Sequence, residues 1–144
     1  SELSSSKTKI DFEFDKDIPY IFIDKIQIQQ VLLNLIQNAI EAMQQSHTKE
    51  KRIYIQTKQA NPEMIEITIM DTGPGFPKEI MHKAFMPFFT TKAHGRGMGL
   101  AICRSIIEAH GGQFMINPNT TSSSWIRFSL PISIWARFTR SVRQ

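Results

Sequence analysis

The stretch from Phe85 to Ile102, FMPFFTTKAHGRGMGLAI, constrains this chain more than any other. Gly95, Gly97 and Gly99 alternate in it, Lys92 and Arg96 place cations before and among them, and an apolar, helix-like run follows at once. Such a segment can bend tightly and present bare backbone N–H groups. It can therefore deliver a polyphosphate to the positive end of the helix that follows, which makes a nucleotide the first hypothesis. Glycine loops serve many purposes, so the rest of the chain has to supply a base pocket and a metal ligand.

The chain has 144 residues, most simply one domain. At this size roughly two-thirds of the extended chain's surface can be buried, enough for one sheet-and-helix core. An apolar fraction of 41% argues against disorder. No apolar run approaches the ~20 residues of a membrane span. The first residues, SELSSSKTK, are polar and do not read as a signal peptide. Cys103 is the one cysteine and can make no internal disulfide, which suits a reducing compartment. The expected location is cytoplasmic, whether the parent protein is free or membrane-anchored. The net charge of +4 is concentrated at the end: without Arg137, Arg140 and Arg143, 14 Lys and Arg face 13 Asp and Glu. The body is nearly neutral, so no nucleic-acid partner is expected.

Residues 1–8 read as a linker remnant, 9–131 as the domain and 132–144 as a tail. Ile10, Phe12 and Phe14 alternate with Asp11, Glu13 and Asp15, the period of a half-buried strand. Asp24 is an N-cap candidate for a helix reaching about Gln45. Ile28, Val31, Leu32, Leu35, Ile36, Ala39 and Met43 form its apolar face. Gln30, Asn34, Gln37, Glu41 and Gln44 form the opposite one, with Asn38 at the border beside Val31. Arg52–Lys58 and Met64–Met70 read as isoleucine-rich strands around a turn at Asn61-Pro62. Lys78–Ala84 suits a short helix, 85–97 a loop, and Met98–His110 a second amphipathic helix stopped by Gly111-Gly112. Gln113–Ile116 and Ser124–Leu130 read as a closing hairpin. This order favours a mixed sheet with helices on one face, a two-layer α/β sandwich of the α+β class.

Three places have the chemistry a nucleotide needs. Asn34 and Asn38 are four apart and are neighbours on one helix edge. An amide oxygen is a hard ligand that can take one position on Mg²⁺ without repelling a triphosphate. On the residues alone, two asparagines on a solvated helix face is the commoner reading. Asp71 ends an apolar strand, where its carboxylate can accept a hydrogen bond from the exocyclic amine of adenine. Gly73 and Gly75 would let backbone approach a flat base. The sequence DTGPG also makes an ordinary strand-ending turn. Phe85, Phe88 and Phe89 in an irregular segment need either the core or a hinge, and Lys92 beside them can meet a terminal phosphate as a point charge. Other nucleotide motifs fail. Gly95–Gly99 is neither a Walker A loop nor a dinucleotide fingerprint, and the protein-kinase set is absent. The four histidines and Cys103 show no metal-ligand spacing.

Four segments in this order resemble the catalytic, ATP-binding domain of bacterial sensor histidine kinases, in the superfamily shared with DNA gyrase B, Hsp90 and MutL. QVLLNLIQNAIEAM (Gln30–Met43) is similar to the N box, DTGPGF (Asp71–Phe76) to the G1 box, FMPFFTTK (Phe85–Lys92) to the F box and GRGMGLAI (Gly95–Ile102) to the G2 box. The Phe-Phe-Thr-Thr-Lys form is most similar to nitrogen-regulation and oxygen-sensing kinases, often coupled to PAS domains. The resemblance spans Lys9 to Pro131. It implies a Bergerat ATP-binding fold, a mostly antiparallel sheet of about five strands with three helices on one face. It implies ATP and Mg²⁺ as cofactors. Asn38 would ligate the metal, with Asn34 close to metal and phosphates. Asp71 would bind the adenine amine, and Gly73, Gly75 and Phe85 would shape the nucleotide site. Lys92, Arg96 and the N–H groups around Gly97, Gly99 and Leu100 would hold phosphates.

In hydrolytic relatives the position of Asn34 is a glutamate that activates water; an amide cannot be that base, which favours transfer to a protein nucleophile. Three positions depart from the family's pattern. Arg96 replaces a small residue between the first two G2 glycines, Gln37 stands where an arginine is common, and Ser123-Ser124 stand where Gly-Thr usually precedes the last strand. None of His47, His82, His94 and His110 has the family's phosphoacceptor context. His94 and His110 read as local structural residues. The implied partners are ATP or ADP, a histidine-bearing dimerisation domain of the same protein, and indirectly a response regulator. The alternatives are a hydrolytic ATPase or serine-kinase switch protein of the same superfamily, and a degenerate nucleotide-binding interaction module.

Overall fold

The computed structural model describes residues 7–75, 99–117 and 124–133. Within them the chain runs β1 (Lys9–Phe14), α1 (Lys25–Gln45), β2 (Arg52–Asn61), β3 (Met64–Asp71), α2 (Leu100–Ala109), β4 (Phe114–Ile116) and β5 (Ser124–Pro131). The strands form one sheet in the order β1-β2-β3-β5-β4. β1 and β2 are parallel because α1 connects them as a crossover, and every other pair is antiparallel. This is the mixed sheet that the element order predicts, with the mostly antiparallel pairing that the resemblance implies. The helix expected at 78–84 lies outside the described residues.

Asp24 caps α1 as its sequence position predicts, its Oδ1 accepting from the N–H of Gln27 at 3.1 Å. The buried face differs from the expected stripe. It comprises Ile28, Val31, Asn34, Leu35, Ala39, Ile40 and Met43, while Leu32 and Ile36 are only partly buried. Asn34, expected on the polar side, is therefore inside. The reason is tertiary: α1 packs on the sheet and also on α2, so more of its circumference is covered than one amphipathic stripe.

Alternation sorts the strands. Ile53 and Ile55 on β2, Ile65, Ile67 and Ile69 on β3, and Phe128 and Leu130 on β5 are buried in register. Each such side chain contributes about 1.5–3 kcal/mol relative to exposure. The edge strand is different. Ile10 packs partly on the core, but Phe12, level with the buried Ile55, is 58% exposed and Phe14 is 61% exposed. The strand forms where expected, yet it is not half-buried along its length, because the core does not extend to its far end.

Two devices hold the helix layer at one end of the sheet. His110, read from sequence as a local residue, makes a long-range tie: Nε2 accepts from the Asp24 N–H at 3.0 Å, and Nδ1 lies 2.7 Å from the Ile106 carbonyl. Both contacts are satisfied when the neutral ring carries its proton on Nδ1. The end of α2 is thus joined to the start of α1. Gly112 lets the chain leave α2 against β5; a Cβ there would lie 1.7 Å from the Ser129 carbonyl oxygen.

Candidate functional site

β3 runs through the core and stops at Asp71, whose carboxylate is carried to the end of the sheet beside α1. Thr72 anchors the turn that follows. Its hydroxyl donates to the Glu50 carbonyl at 2.6 Å and accepts from the Arg52 N–H at 3.1 Å. Asp71 Oδ1 accepts from the Gly73 N–H at 2.7 Å. A Cβ on Gly73 would meet that oxygen at 2.8 Å and Met43 Cγ at 3.2 Å, so the close turn requires a glycine. Gly75 has φ +76°, a left-handed conformation that side chains disfavour.

Burial pushes the Asp71 carboxyl above the usual carboxylate range, and hydrogen bonds from the Gly73 N–H and the Ser124 side chain only partly offset it. A carboxylate serving merely to end a strand would gain by facing water. This one is kept at a desolvation cost, which makes it a candidate site residue. Ser124 was not legible as a site residue. It is the Cα partner of Asp71 in the β3–β5 ladder, a pairing that local sequence does not reveal.

The two asparagines of α1 have different surroundings. Asn34 is 5% exposed, and its Nδ2 donates to the Sγ of Cys103 on α2 at 3.3 Å. Asn38 is partly buried, but its Oδ1 is fully buried and has no hydrogen-bond partner among the described residues. An orphaned amide oxygen inside a protein is costly. A hard cation fits it, since a single neutral oxygen donor suits an ion that keeps water and phosphate as its other ligands.

α2 begins at Leu100 with Gly99 as its N-cap; among the described residues no side chain caps it, and no acidic residue lies in its first turn. Its first N–H groups and positive end can receive an anion. The Asn34–Cys103 contact fixes this helix against α1 one turn from that end. Cys103 is the second residue that sequence reasoning missed. It is buried in the interface between the two helices, a place no spacing rule predicts. The structure thus describes Asn34, Asn38, Asp71, Gly73, Gly75, Gly99 and Leu100, while Phe85, Lys92, Arg96 and Gly97 lie outside the described residues.

A mixed sheet carrying helices, a desolvated acid at the end of its central strand, and a helix start beside an asparagine pair make up the candidate site. Residues 23–134 match the model of the histidine kinase-, DNA gyrase B- and HSP90-like ATPase family. The chain belongs to that family. The FixL sensor protein of Bradyrhizobium diazoefficiens is 44% identical over 120 residues, covering 83% of this chain and 23% of that protein. The TdiS sensor protein of Thauera aromatica is 41% identical over 115 residues, covering 79% of this chain and 21% of its own length. Among solved structures, the catalytic domain of histidine kinase ThkA aligns with TM-score 0.76 at 35% identity, over 90% of this chain and 82% of that one. A complex of ThkA with the response regulator TrrA aligns with TM-score 0.70 at 33% identity, covering 92% of this chain and 36% of that chain. The chain therefore spans about a quarter of the sensor proteins it matches and most of an excised catalytic domain. No helix among the described residues is long and apolar enough to cross a membrane.

Proposed function

We propose that this domain binds Mg·ATP and positions its γ-phosphate for transfer to a histidine on a separate dimerisation domain, for relay to a response regulator. The observation that carries this reading is the buried Oδ1 of Asn38, which has no partner among the described residues, on a helix fixed to the first turn of α2. Family membership and the sensor-kinase relatives support it. The ThkA–TrrA complex supports a response regulator as the downstream partner.

Each residue has a physical task in this reading. Asp71 accepts from the exocyclic amine of adenine, the donor its desolvated carboxylate lacks. Gly73 and Gly75 keep the pocket wall thin enough for the base. Asn38 Oδ1 would hold Mg²⁺, which when bound neutralises phosphate charge. The N–H groups at Gly99 and Leu100 receive phosphate oxygens. Phe85, Lys92, Arg96 and Gly97 complete the site from the segment between β3 and α2, with Lys92 as a point charge on a terminal phosphate. Asn34, an amide held by Cys103, can orient neighbouring groups but cannot take a proton from water, which disfavours hydrolysis. Phosphoryl transfer needs an in-line acceptor, so the domain alone should bind nucleotide and turn over little. The reading also places it on the cytoplasmic side of its parent protein.

Calorimetric titration with ADP tests this, with and without Mg²⁺. Binding strengthened by Mg²⁺, with the increment lost in Asn38→Ala, is expected. Absence of binding at millimolar nucleotide overturns the proposal. Steady phosphate release by the isolated domain would favour a hydrolytic ATPase instead. Transfer of labelled phosphate in trans to a histidine-bearing dimerisation domain completes the test.

A further inference from the structure

The edge at β1 is unlike the rest of the molecule. The Phe12 and Phe14 rings contact each other at a tilt of 46°, centroids 5.3 Å apart, and are 58% and 61% exposed. The connection from β1 to α1 adds Tyr20 at 89% and Phe22 at 77%. Four exposed aromatics within eleven residues are not explained by the proposed nucleotide site at Asp71, on a strand two places away across the sheet. Such apolar surface usually marks an interaction site.

We infer that these aromatics are the docking surface for the C-terminal segment 134–144 of the same chain. Position, reach, pattern and charge all point to that occupant. Phe14 is level with Thr57, Thr57 with Ile67 and Ile67 with Phe128, so the end of β1 lies on a row three residues short of Pro131, the last residue of β5. Beyond β5, the Ile132 N–H donates to the Glu63 carbonyl at 2.7 Å, which brings the departing chain to the β2–β3 turn. Three strand spacings, about 14 Å, separate β5 from β1. Eleven residues span about 16 Å as a helix and more than twice that when extended.

The segment IWARFTRSVRQ is built for such a surface. As a helix it puts Ile134, Trp135, Phe138 and Val142 within about 100° of one another. Its three arginines, Arg137, Arg140 and Arg143, face no acid within the segment, a net +3. Residues 9–24 carry Asp11, Glu13, Asp15, Asp17 and Asp24 against Lys9 and Lys16, a net −3. Opposite charge within a Debye length of about 8–10 Å draws the tail to this edge, and the aromatic contacts hold it there.

Tryptophan fluorescence tests the contact in the full 144-residue chain. Trp125 and Trp135 are the two tryptophans, so Trp125→Phe leaves Trp135 as the single reporter. A blue-shifted Trp135 emission, shielded from a neutral quencher, is expected. Joint substitution Phe12→Ser and Phe14→Ser should shift it to the emission of free indole, and added salt or Arg137→Glu with Arg140→Glu should move it the same way. Because Phe12 and Phe14 are exposed, that double variant should keep its circular dichroism and melting curve. As a second readout, a chain ending at Ser133 should change the NMR resonances of Phe12, Phe14, Tyr20 and Phe22 and leave those of β3 unchanged. Solvent-like Trp135 emission in the parent overturns the proposal. So does shielding that rises with protein concentration, which would assign the surface to a second copy.

Discussion

The Asp71 end of the sheet and its β1 edge each hold a carboxylate, in opposite ways. Asp71 is buried where the central strand stops, and its pKa is pushed up despite two hydrogen bonds. Glu13 lies on the edge strand and is held by the Tyr54 hydroxyl and by Gln56 Nε2 at 2.7 Å, which lower its pKa. At the edge, hydrogen bonds decide the balance because water is close. At Asp71, desolvation wins. An acid whose own protein satisfies it supports the fold, whereas one left short of partners is available to a ligand.

The same contrast separates core from edge, and the largest expected effect lies there. Phe128 and Phe12 are both phenylalanines of one sheet, yet the first is fully buried. Phe128→Ala should cost about 3–5 kcal/mol and bring the domain close to unfolding, while Phe12→Ala should barely change chemical denaturation. Next comes Asp71→Asn. It keeps an acceptor for the Gly73 N–H but removes the charge, so ADP affinity should fall about a hundredfold, as for loss of a ~3 kcal/mol charge-assisted bond. The melting temperature should stay level or rise, because a buried charge has been removed. A parallel loss of stability would break the contrast.

Gly73→Ala should weaken ADP about tenfold, since the added Cβ displaces the Asp71 carboxylate, at a cost of about 1–2 kcal/mol to the fold. Acid should separate the two carboxylates. The raised Asp71 pKa means that it protonates in the folded state before it would in the unfolded chain. Its cost to stability is therefore relieved as pH falls through the folded value, and nucleotide affinity is lost over the same window, starting above the ordinary 3.8 of an aspartate. Glu13 has the opposite sign: its contribution is present above its ordinary 4.5 and is lost as pH falls through the lowered value. NMR titration of both carboxyls, alongside calorimetry from pH 7 downward, checks the order. The smallest effect belongs to Tyr54→Phe, which should return Glu13 toward its ordinary pKa and leave ADP affinity unchanged.

Much of this was legible in the residues. Asp24 capping α1, the alternating isoleucines of β2 and β3, and the Gly111-Gly112 stop are local rules obeyed locally. Asn38 and Asp71 stood out because their chemistry suits a metal and a base at positions where apolar runs border polar ones. Asn34 was misplaced because a helical wheel knows one buried face, and α1 has two neighbours. Phe12 and Phe14 misled in the other direction: alternation predicts which face a side chain takes, but not whether anything covers it. Ser124, Cys103 and His110 act through partners 53, 69 and 86 positions away, and no periodicity reaches that far.

The sequence by itself determined the elements, their faces, the glycines that a tight turn needs and the kinds of ligand the polar residues can take, because these follow from spacing and side-chain chemistry. Only the tertiary structure decided which polar atoms are satisfied. Asp71 is costly and Glu13 is comfortable because of how far each lies from water. Asn38 Oδ1 is an orphan, and Asn34 is not, because one turn of helix separates an amide facing Cys103 from an amide whose oxygen faces no donor among the described residues.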